Sequence, residues 1–512
     1  MGGLLQVTAS DINRALWRAC DVFRGELDPS KYRNYVQVMF FWKYVSDVWR
    51  DRCAQYQKEL GDNPDQIRCE MSHEWLVLPE GSSFYDIYEQ RDEPCLGNLI
   101  HAALRTLEET LAPSIHLQHI DFDSQANLGQ SQNQKLRELL EVFSRPELDL
   151  RPSRVGSDIV GSCYVTLLER FAAEAGKGIG GGEFLTPVQV SKLVARLAQP
   201  KEGDLIYDPA CGSGTLLIQV AKEVEGTHYS LYGQEKNFSA WTLAQMNMFL
   251  NNEHRARMEW GDTLSYPKFF QSESSQSAPL PKALMRFDVV VANPPFSLSH
   301  WGADNARHDP YDRFLRGVPP KTKGDYAFIS HMIESALPCE GRVVVVVPHG
   351  VLFRASSEGK IRRKLIDENL LDAVIGLPPN LLPSTTIPVA ILVFDRSREK
   401  GGTNDNYQDV IFIDASRDFQ VGKTKNSLLD EHIEKIIQTY KSRETVDRYA
   451  SVATLEEIED NDFNLNIPRY VDTFEMPEEV DIDEVKSEIK KLEAELTEVR
   501  VKIAGYLKEL GV

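Results

Sequence analysis

The stretch DLIYDPACGSGTLLIQ, residues 204–219, passes from an apolar run into a glycine turn and out into a helical pattern. Gly212 and Gly214 permit a tight strand-to-helix turn with no side chain between the backbone and a ligand, and Thr215 starts the helix whose N-terminus faces that ligand. The turn does not complete the dinucleotide-binding pattern, because Leu217 stands where a third glycine would fall.

Working outward, similar short apolar runs recur from about residue 185 to 400: YSLYGQE, ARMEWGD, FDVVVANPP, GRVVVVVPHG, LLDAVIGLP and PVAILVFD, with helical patterns between them. Near-continuous Val/Ile/Leu runs alternating with helices predict an α/β fold with a mostly parallel sheet covered on both faces. Such sheets bind ligands outside the carboxyl ends of their strands. Those ends carry Asp208, Glu235, Asp262 and Asn293, so four consecutive strands deliver a polar or acidic residue to one edge. The polar segment 271–281, QSESSQSAPLP, reads as a mobile surface loop.

Glu235 ends the strand after the glycine turn, where a carboxylate accepts hydrogen bonds from ribose hydroxyls, and Asp262 follows where it can accept from an adenine amino group. These residues indicate an adenosine-containing cofactor and leave open whether it is a nicotinamide dinucleotide or S-adenosylmethionine. NPPF, residues 293–296, separates the two. An exocyclic amino group on a base is a poor nucleophile because its lone pair is delocalised into the ring. The side-chain amide oxygen of Asn293 and the carbonyl of Pro294, both accepting its hydrogens, would localise that pair. Pro294 and Pro295 fix the turn and remove competing backbone donors. Phe296 offers a flat face to a base turned out of a duplex.

The flanks are helical. Residues 1–150 carry apolar positions at spacings of three and four, and the cluster Phe40, Phe41, Trp42, Tyr44 and Trp49 reads as core rather than as a stacking surface. Residues 476–512 contain a seam of Ile482, Val485, Ile489, Leu492, Leu496, Val499, Ile503, Tyr506 and Leu510, which predicts a coiled-coil helix that must bury its stripe against something. Residues 151–475 hold the sheet between these regions.

With 77 acidic and 57 basic residues in 512, the formal net charge is −20, so the chain as a whole repels polyanions. A nucleic-acid substrate would have to be brought in by a local basic surface or a basic partner. Seven cysteines without paired metal spacing predict a reduced, cytoplasmic setting and no metal site. No basic segment leads into a long apolar one, so neither a signal peptide nor a membrane span is expected.

The order GGEFLTP (181–187), DPACGSG, GQE, GDTL and NPPF resembles the γ-type arrangement of N6-adenine DNA methyltransferases and, more closely, the modification subunit of type I restriction–modification systems. The segments GDYAFISHMIESAL and GRVVVVVPHGVLFR continue that pattern, so the resemblance covers most of the chain. It implies a Rossmann-like class I S-adenosylmethionine-dependent methyltransferase core, an all-α N-terminal domain and a C-terminal docking helix. It implies, too, a cofactor site at Glu183, Phe184, Leu185, Thr186, Pro187 and Val188 and at Asp208, Gly212, Ser213, Gly214, Thr215, Glu235 and Asp262, with Phe184, Thr186 and Pro187 over the methionine part. Asn293, Pro294, Pro295 and Phe296 would receive the target adenine, and Asp325 and Tyr326 would line the base pocket. The implied partners are double-stranded DNA, a separate specificity subunit that reads the sequence, and a translocating nuclease subunit able to join them. No segment long enough for target recognition follows PVAILVFD, which agrees with that division of labour.

NPP with an aromatic occurs also in enzymes that methylate protein glutamine or RNA, and a non-catalytic cofactor-binding subunit is a further alternative. Pro338-Cys339 precedes a strand and reads as a loop, since amino methylation needs no covalent intermediate. His300, His308 and Asp309 fit no common metal set and read as part of a flexible flap beside the base pocket. GKGIGGGEF lacks the Lys-Ser/Thr of a phosphate loop, and KIRRKLIDE reads as a solvated helix face.

Overall fold

The N-terminal helical patterns become α1 (Ala9–Asp21), α2 (Pro29–Leu60), α3 (Pro64–Met71), α4 (Phe84–Glu89), α5 (Leu96–Leu111), α6 (Gln132–Phe143) and α7 (Ser157–Glu174) in a computed structural model of the chain. It describes residues 6–25, 27, 29–61, 63–74, 76–111, 115–117, 120–122, 131–174, 185–271, 283–473 and 482–509. Thr8 opens α1 with a capping box, its hydroxyl accepting the Asp11 N–H while Asp11 accepts the Thr8 N–H. Phe40, Phe41, Trp42 and Tyr44 are buried and Trp49 packs against them, so the aromatic cluster is core. That core runs on to Phe171 and Ala172 in α7, past residue 150, because α7 carries its own apolar stripe into it.

The sheet region contributes α8 (Val188–Ala198), β1 (Leu205–Asp208), α9 (Thr215–Glu223), β2 (Ser230–Glu235), α10 (Phe238–Leu250), β3 (Arg257–Trp260), β4 (Val289–Ala292), α11 (Asp325–Ser335), β5 (Arg342–Pro348), α12 (Gly350–Phe353), α13 (Ser356–Asp367), β6 (Leu371–Gly376) and β7 (Val389–Asp395). Two strands beyond the expected range follow, β8 (Asp409–Asp414) and β9 (Ala450–Thr454), with α14 (Asp430–Ser442) between them and α15 (Leu455–Asp460) after.

Among the described residues these nine strands form one sheet in the order β3-β2-β1-β4-β5-β7-β6-β8-β9. It is parallel except at β7, which runs against β5 and β6, and at β9, which runs against β8. Period-two alternation assigns its faces. Ile206, Leu231, Val289, Val291, Val344 and Val346 pack under α8, α9 and α14. Tyr207, Tyr232, Val290, Ala292, Val343, Val345 and Val347 pack under α11 and α13.

Helix α10 is apolar all round because it is buried on two sides. Ala244 and Met248 join the sheet core, whereas Met246, Phe249 and Leu250 join the N-terminal helical core. The helical region is therefore packed directly onto the element that follows Glu235.

The chain divides by its internal contacts into Met1–Val471 and Asp472–Val512. The second unit contains α16 (Ile482–Glu509), on which Ile489, Leu492, Leu496, Val499 and Ile503 are about half exposed. No helix among the described residues is long and apolar enough to cross a membrane.

Candidate active site

The carboxyl ends of β3, β2, β1 and β4 are neighbours, and they open into a cavity of about 450 Å³. Asp208, Gly212, Glu235, Asp262, Asn293, Pro295 and Thr186 all line it, so residues spread over 110 positions of sequence meet in one place. A cavity of this size suits a nucleoside-sized ligand.

The glycine turn is built as its sequence requires. Gly212 and Gly214 have φ of 53° and 75°, and a Cβ on Gly214 would come within 2.8 Å of Met248 Cε. Asn247 donates to the Ser213 carbonyl at 2.9 Å from α10, and the Ser213 and Thr215 hydroxyls lie 3.0 Å apart. These contacts hold the turn from behind. Ser213, Gly214 and Thr215 support the cavity without lining it, among the described residues.

Glu235 bridges the turn and the next helix: its Oε2 accepts the Gly212 N–H at 2.9 Å and its Oε1 the Asn237 N–H at 2.7 Å. The carboxylate retains acceptor capacity beyond these backbone bonds. Burial pushes the Glu235 carboxyl above its ordinary range. Asp208 is pushed further, to about 8, by burial first and by the neighbouring Glu235 charge, while the Ala210 N–H at 2.9 Å opposes the shift. Two buried carboxylates side by side, with no cation paired to them among the described residues, favour a positively charged, hydroxyl-bearing ligand, and S-adenosylmethionine is both.

Asp262 accepts the Leu264 and Ser265 N–H groups on one oxygen and pairs with Lys236 Nζ at 2.7 Å on the other. Lys236, Asn237, Thr263, Leu298 and Phe328 also line the cavity and had escaped the sequence reading. Lys236 and Asn237 directly follow Glu235, and Asn237 caps α10 through the Ala240 N–H, a capping signal that could have found it.

Behind the Asp262 loop, buried Arg313 donates to the carbonyls of Thr263 and Leu264 at 3.2 and 2.9 Å and pairs with buried Asp309 at 2.6 Å. Burial and the Arg313 charge hold His331 well below the ordinary histidine range, so the neutral ring can face Arg313 across 3.3 Å. Trp301, Ala306, Arg313 and Phe314 of the 300–318 segment are thus packed inward, with Phe328, in a small core that supports the Asp262 loop.

Asn293 follows β4 directly and points its amide Nδ2 at the Thr186 hydroxyl, 3.0 Å away. Pro294 is buried, and Phe296 is half-buried against the sheet core. Of the segment 183–188, Glu183 and Phe184 lie outside the described residues. Leu185 is buried in the helical core, Pro187 precedes α8, and the Val188 N–H donates to Glu169 of α7 at 2.9 Å; Thr186 alone of the described four lines the cavity.

Asp325 and Tyr326 do not line the cavity. Tyr326 is core and donates to the Val351 carbonyl at 3.0 Å, and Asp325 is turned onto the backbone behind Phe296. On α13, Arg362 is buried and holds the carbonyls of Val351, Arg354 and Phe463, so it is an internal anchor and not part of a solvated face. Among the described residues there is no group of side chains able to hold a metal, and the seven cysteines are free.

The model for "N-6 DNA Methylase" matches residues 155–479, and that for the "HsdM N-terminal domain" matches residues 12–143. The chain belongs to the N-6 DNA methylase family. Within it, this methylase is 29% identical to the type I restriction enzyme MpnII methylase subunit of Mycoplasma pneumoniae, over 98% of this chain and 96% of that one. It is 31% identical to the MjaVIII methylase subunit of Methanocaldococcus jannaschii, over 97% and 84%. The crystal structure of the type I methyltransferase subunit from Streptococcus thermophilus superposes with a TM-score of 0.77 at 32% identity, covering 91% of this chain and all of the other. The methylase is a type I modification subunit, an S-adenosylmethionine-dependent enzyme that methylates N6 of adenine in DNA.

Proposed function

We propose that Asn293 and the Pro294 carbonyl receive the N6 amino group of an adenine turned out of double-stranded DNA, with Phe296 as its stacking face and Pro295 fixing the turn. The observation that carries this reading is that Asn293 shares one cavity with Asp208 and Glu235. S-adenosylmethionine supplies an electrophilic methyl group. Glu235 would hold ribose hydroxyls on its remaining lone pairs, and Asp262 the adenine of the cofactor once Lys236 yields. Asp208 would complement the positive charge, and Gly212, Ser213, Gly214 and Thr215 would form the turn beneath it. Accepting both N6 hydrogens localises the nitrogen lone pair, and holding that nitrogen in place provides most of the acceleration.

The partners belong to the same reading. The formal charge of −20 opposes DNA binding by the chain alone, which supports a separate specificity subunit that reads the sequence, with a translocating nuclease subunit able to join. The half-exposed stripe of α16 supports residues 476–512 as the docking helix, beside a helical domain at 1–150 and a catalytic domain at 151–475. The setting is the cytoplasm.

The test uses tritiated S-adenosylmethionine and DNA lacking adenine methylation, with this chain alone and then with the specificity subunit encoded beside it. Label in N6-methyladenine only with the partner present is expected. Label with the chain alone would overturn the division of labour.

A further inference from the structure

We infer that Thr186 is a positioning residue that anchors the nitrogen end of the Asn293 amide, leaving its oxygen end toward the substrate. The inference rests on the reading of Asn293 as the acceptor of the N6 amino group, and it assigns Thr186 a role apart from any contact with the methionine part of the cofactor.

A primary amide presents two donors at one end and an acceptor at the other. Only the oxygen end can accept a hydrogen from an exocyclic amino group; the nitrogen end would set donor against donor. Nothing in Asn293 itself selects between the two orientations, which differ by a half-turn about the last side-chain bond. In this structure Nδ2 donates to Thr186 Oγ1 at 3.0 Å. The nitrogen end is thereby occupied, and the Asn293 oxygen is left for a ligand in the cavity that both residues line.

The backbone of Thr186 is fixed on its C-terminal side. Ser191, one turn into α8, donates its hydroxyl to the Thr186 carbonyl at 3.4 Å. Two residues on, the Val188 N–H is held at 2.9 Å by Glu169, which projects from α7. Pro187 between them has its φ set by its ring, here at −54°. The hydroxyl that orients Asn293 is therefore located by the start of α8 and by the last helix of the N-terminal region, 107 residues away in sequence from the amide it serves.

The experiment compares Thr186→Val, which keeps the shape and loses the acceptor, with Thr186→Ser, which keeps the hydroxyl. Both are measured in the full chain with the specificity subunit encoded beside it, by single-turnover methyl transfer at saturating tritiated S-adenosylmethionine and by calorimetric affinity for the same cofactor. For Thr186→Val the transfer rate at saturating cofactor is expected to fall about 10- to 100-fold, the scale of a misoriented reacting group, beyond any change in cofactor affinity. Thr186→Ser is expected to restore the rate.

A wild-type rate in Thr186→Val overturns the inference. So does a loss of cofactor affinity that accounts for the whole loss of rate, which would make Thr186 a cofactor contact only. If the valine variant does not fold, Thr186→Ala carries the same comparison. Asn293→Ala is run alongside: activity in that variant would remove the reading of the site itself, whereas an inactive Asn293→Ala beside a fully active Thr186→Val removes only the inference about Thr186.

Discussion

The Asp325 carboxylate accepts the backbone N–H of Ser297 at 2.7 Å, immediately after Phe296. Ser297 has a φ of 51°, a left-handed conformation that costs a residue with a Cβ roughly 1–2 kcal/mol. The surroundings hold it there. The second oxygen of Asp325 takes Arg354 at 2.8 Å, Arg354 reaches Glu358 at 3.1 Å, and the Ser297 hydroxyl receives Lys323 at 3.1 Å. Asp325 thus acts on the NPPF loop from behind it. Asp325→Ala is expected to slow methyl transfer about 10- to 100-fold by loosening that loop, with cofactor affinity retained, in single-turnover assays and calorimetry. An unaltered rate would mean the loop keeps its shape without the carboxylate.

Asn293 and Glu235 separate chemistry from binding. Asn293→Ala is expected to abolish methylation and to leave calorimetric cofactor affinity intact. Glu235→Ala strands the buried Gly212 N–H, at about 1–3 kcal/mol, and removes the carboxylate proposed to hold the ribose hydroxyls, so cofactor affinity is expected to fall at least about tenfold. Undiminished affinity in that variant would contradict the cofactor site proposed here.

Asp208 gives the site a pH signature. Its carboxyl is raised to about 8, so the folded, cofactor-free chain binds a proton there that the unfolded chain releases near pH 4. The associated stability is complete below pH 4 and is lost as pH rises through 8. A bound cation reverses the preference by lowering the Asp208 pKa. Cofactor binding at pH 7 is therefore expected to release a proton, seen as a difference in calorimetric heat between two buffers of unlike ionisation enthalpy. The release should vanish in Asp208→Asn; equal heats in the two buffers for the wild type would count against it.

How much of this was legible in the sequence depends on the range of each interaction. Strands β1, β4 and β5 announce themselves through Val/Ile/Leu runs, β2 and β3 through the motifs that follow them, and the strand ends place Asp208, Glu235, Asp262 and Asn293 by simple succession. These are local patterns. Strands β8 and β9 escaped because they carry no ligand-facing residue to draw notice and are separated by α14. Asp309 reads in sequence as part of a flap beside the base pocket, since sequence shows its charge but not that it pairs with Arg313 in the interior. The bond from Asn293 to Thr186 has no period or spacing to betray it, and only the folded sheet edge brings the two together.

Arg313 offers a stability test of that buried pair. Arg313→Met removes one partner and leaves Asp309 charged in the interior, a change that costs about 3–5 kcal/mol. It also releases the carbonyls of Thr263 and Leu264 beside Asp262. A lowered melting temperature together with weakened cofactor binding is expected. If the cofactor raises the melting temperature of this variant as much as that of the wild type, the segment does not support the Asp262 loop.

On α16, Ile489, Leu492, Leu496, Val499 and Ile503 recur at steps of three and four and stay about half exposed, a stripe that supports the proposed docking helix. Placing charge in the seam should prevent pairing without touching the sheet. Leu492→Asp combined with Leu496→Asp is expected to abolish co-elution with the specificity subunit on size-exclusion chromatography. Cofactor affinity should stay at the wild-type value, because both substitutions fall beyond Val471, outside the unit that holds the cavity. Retained co-elution would move the docking surface to the Met1–Val471 unit.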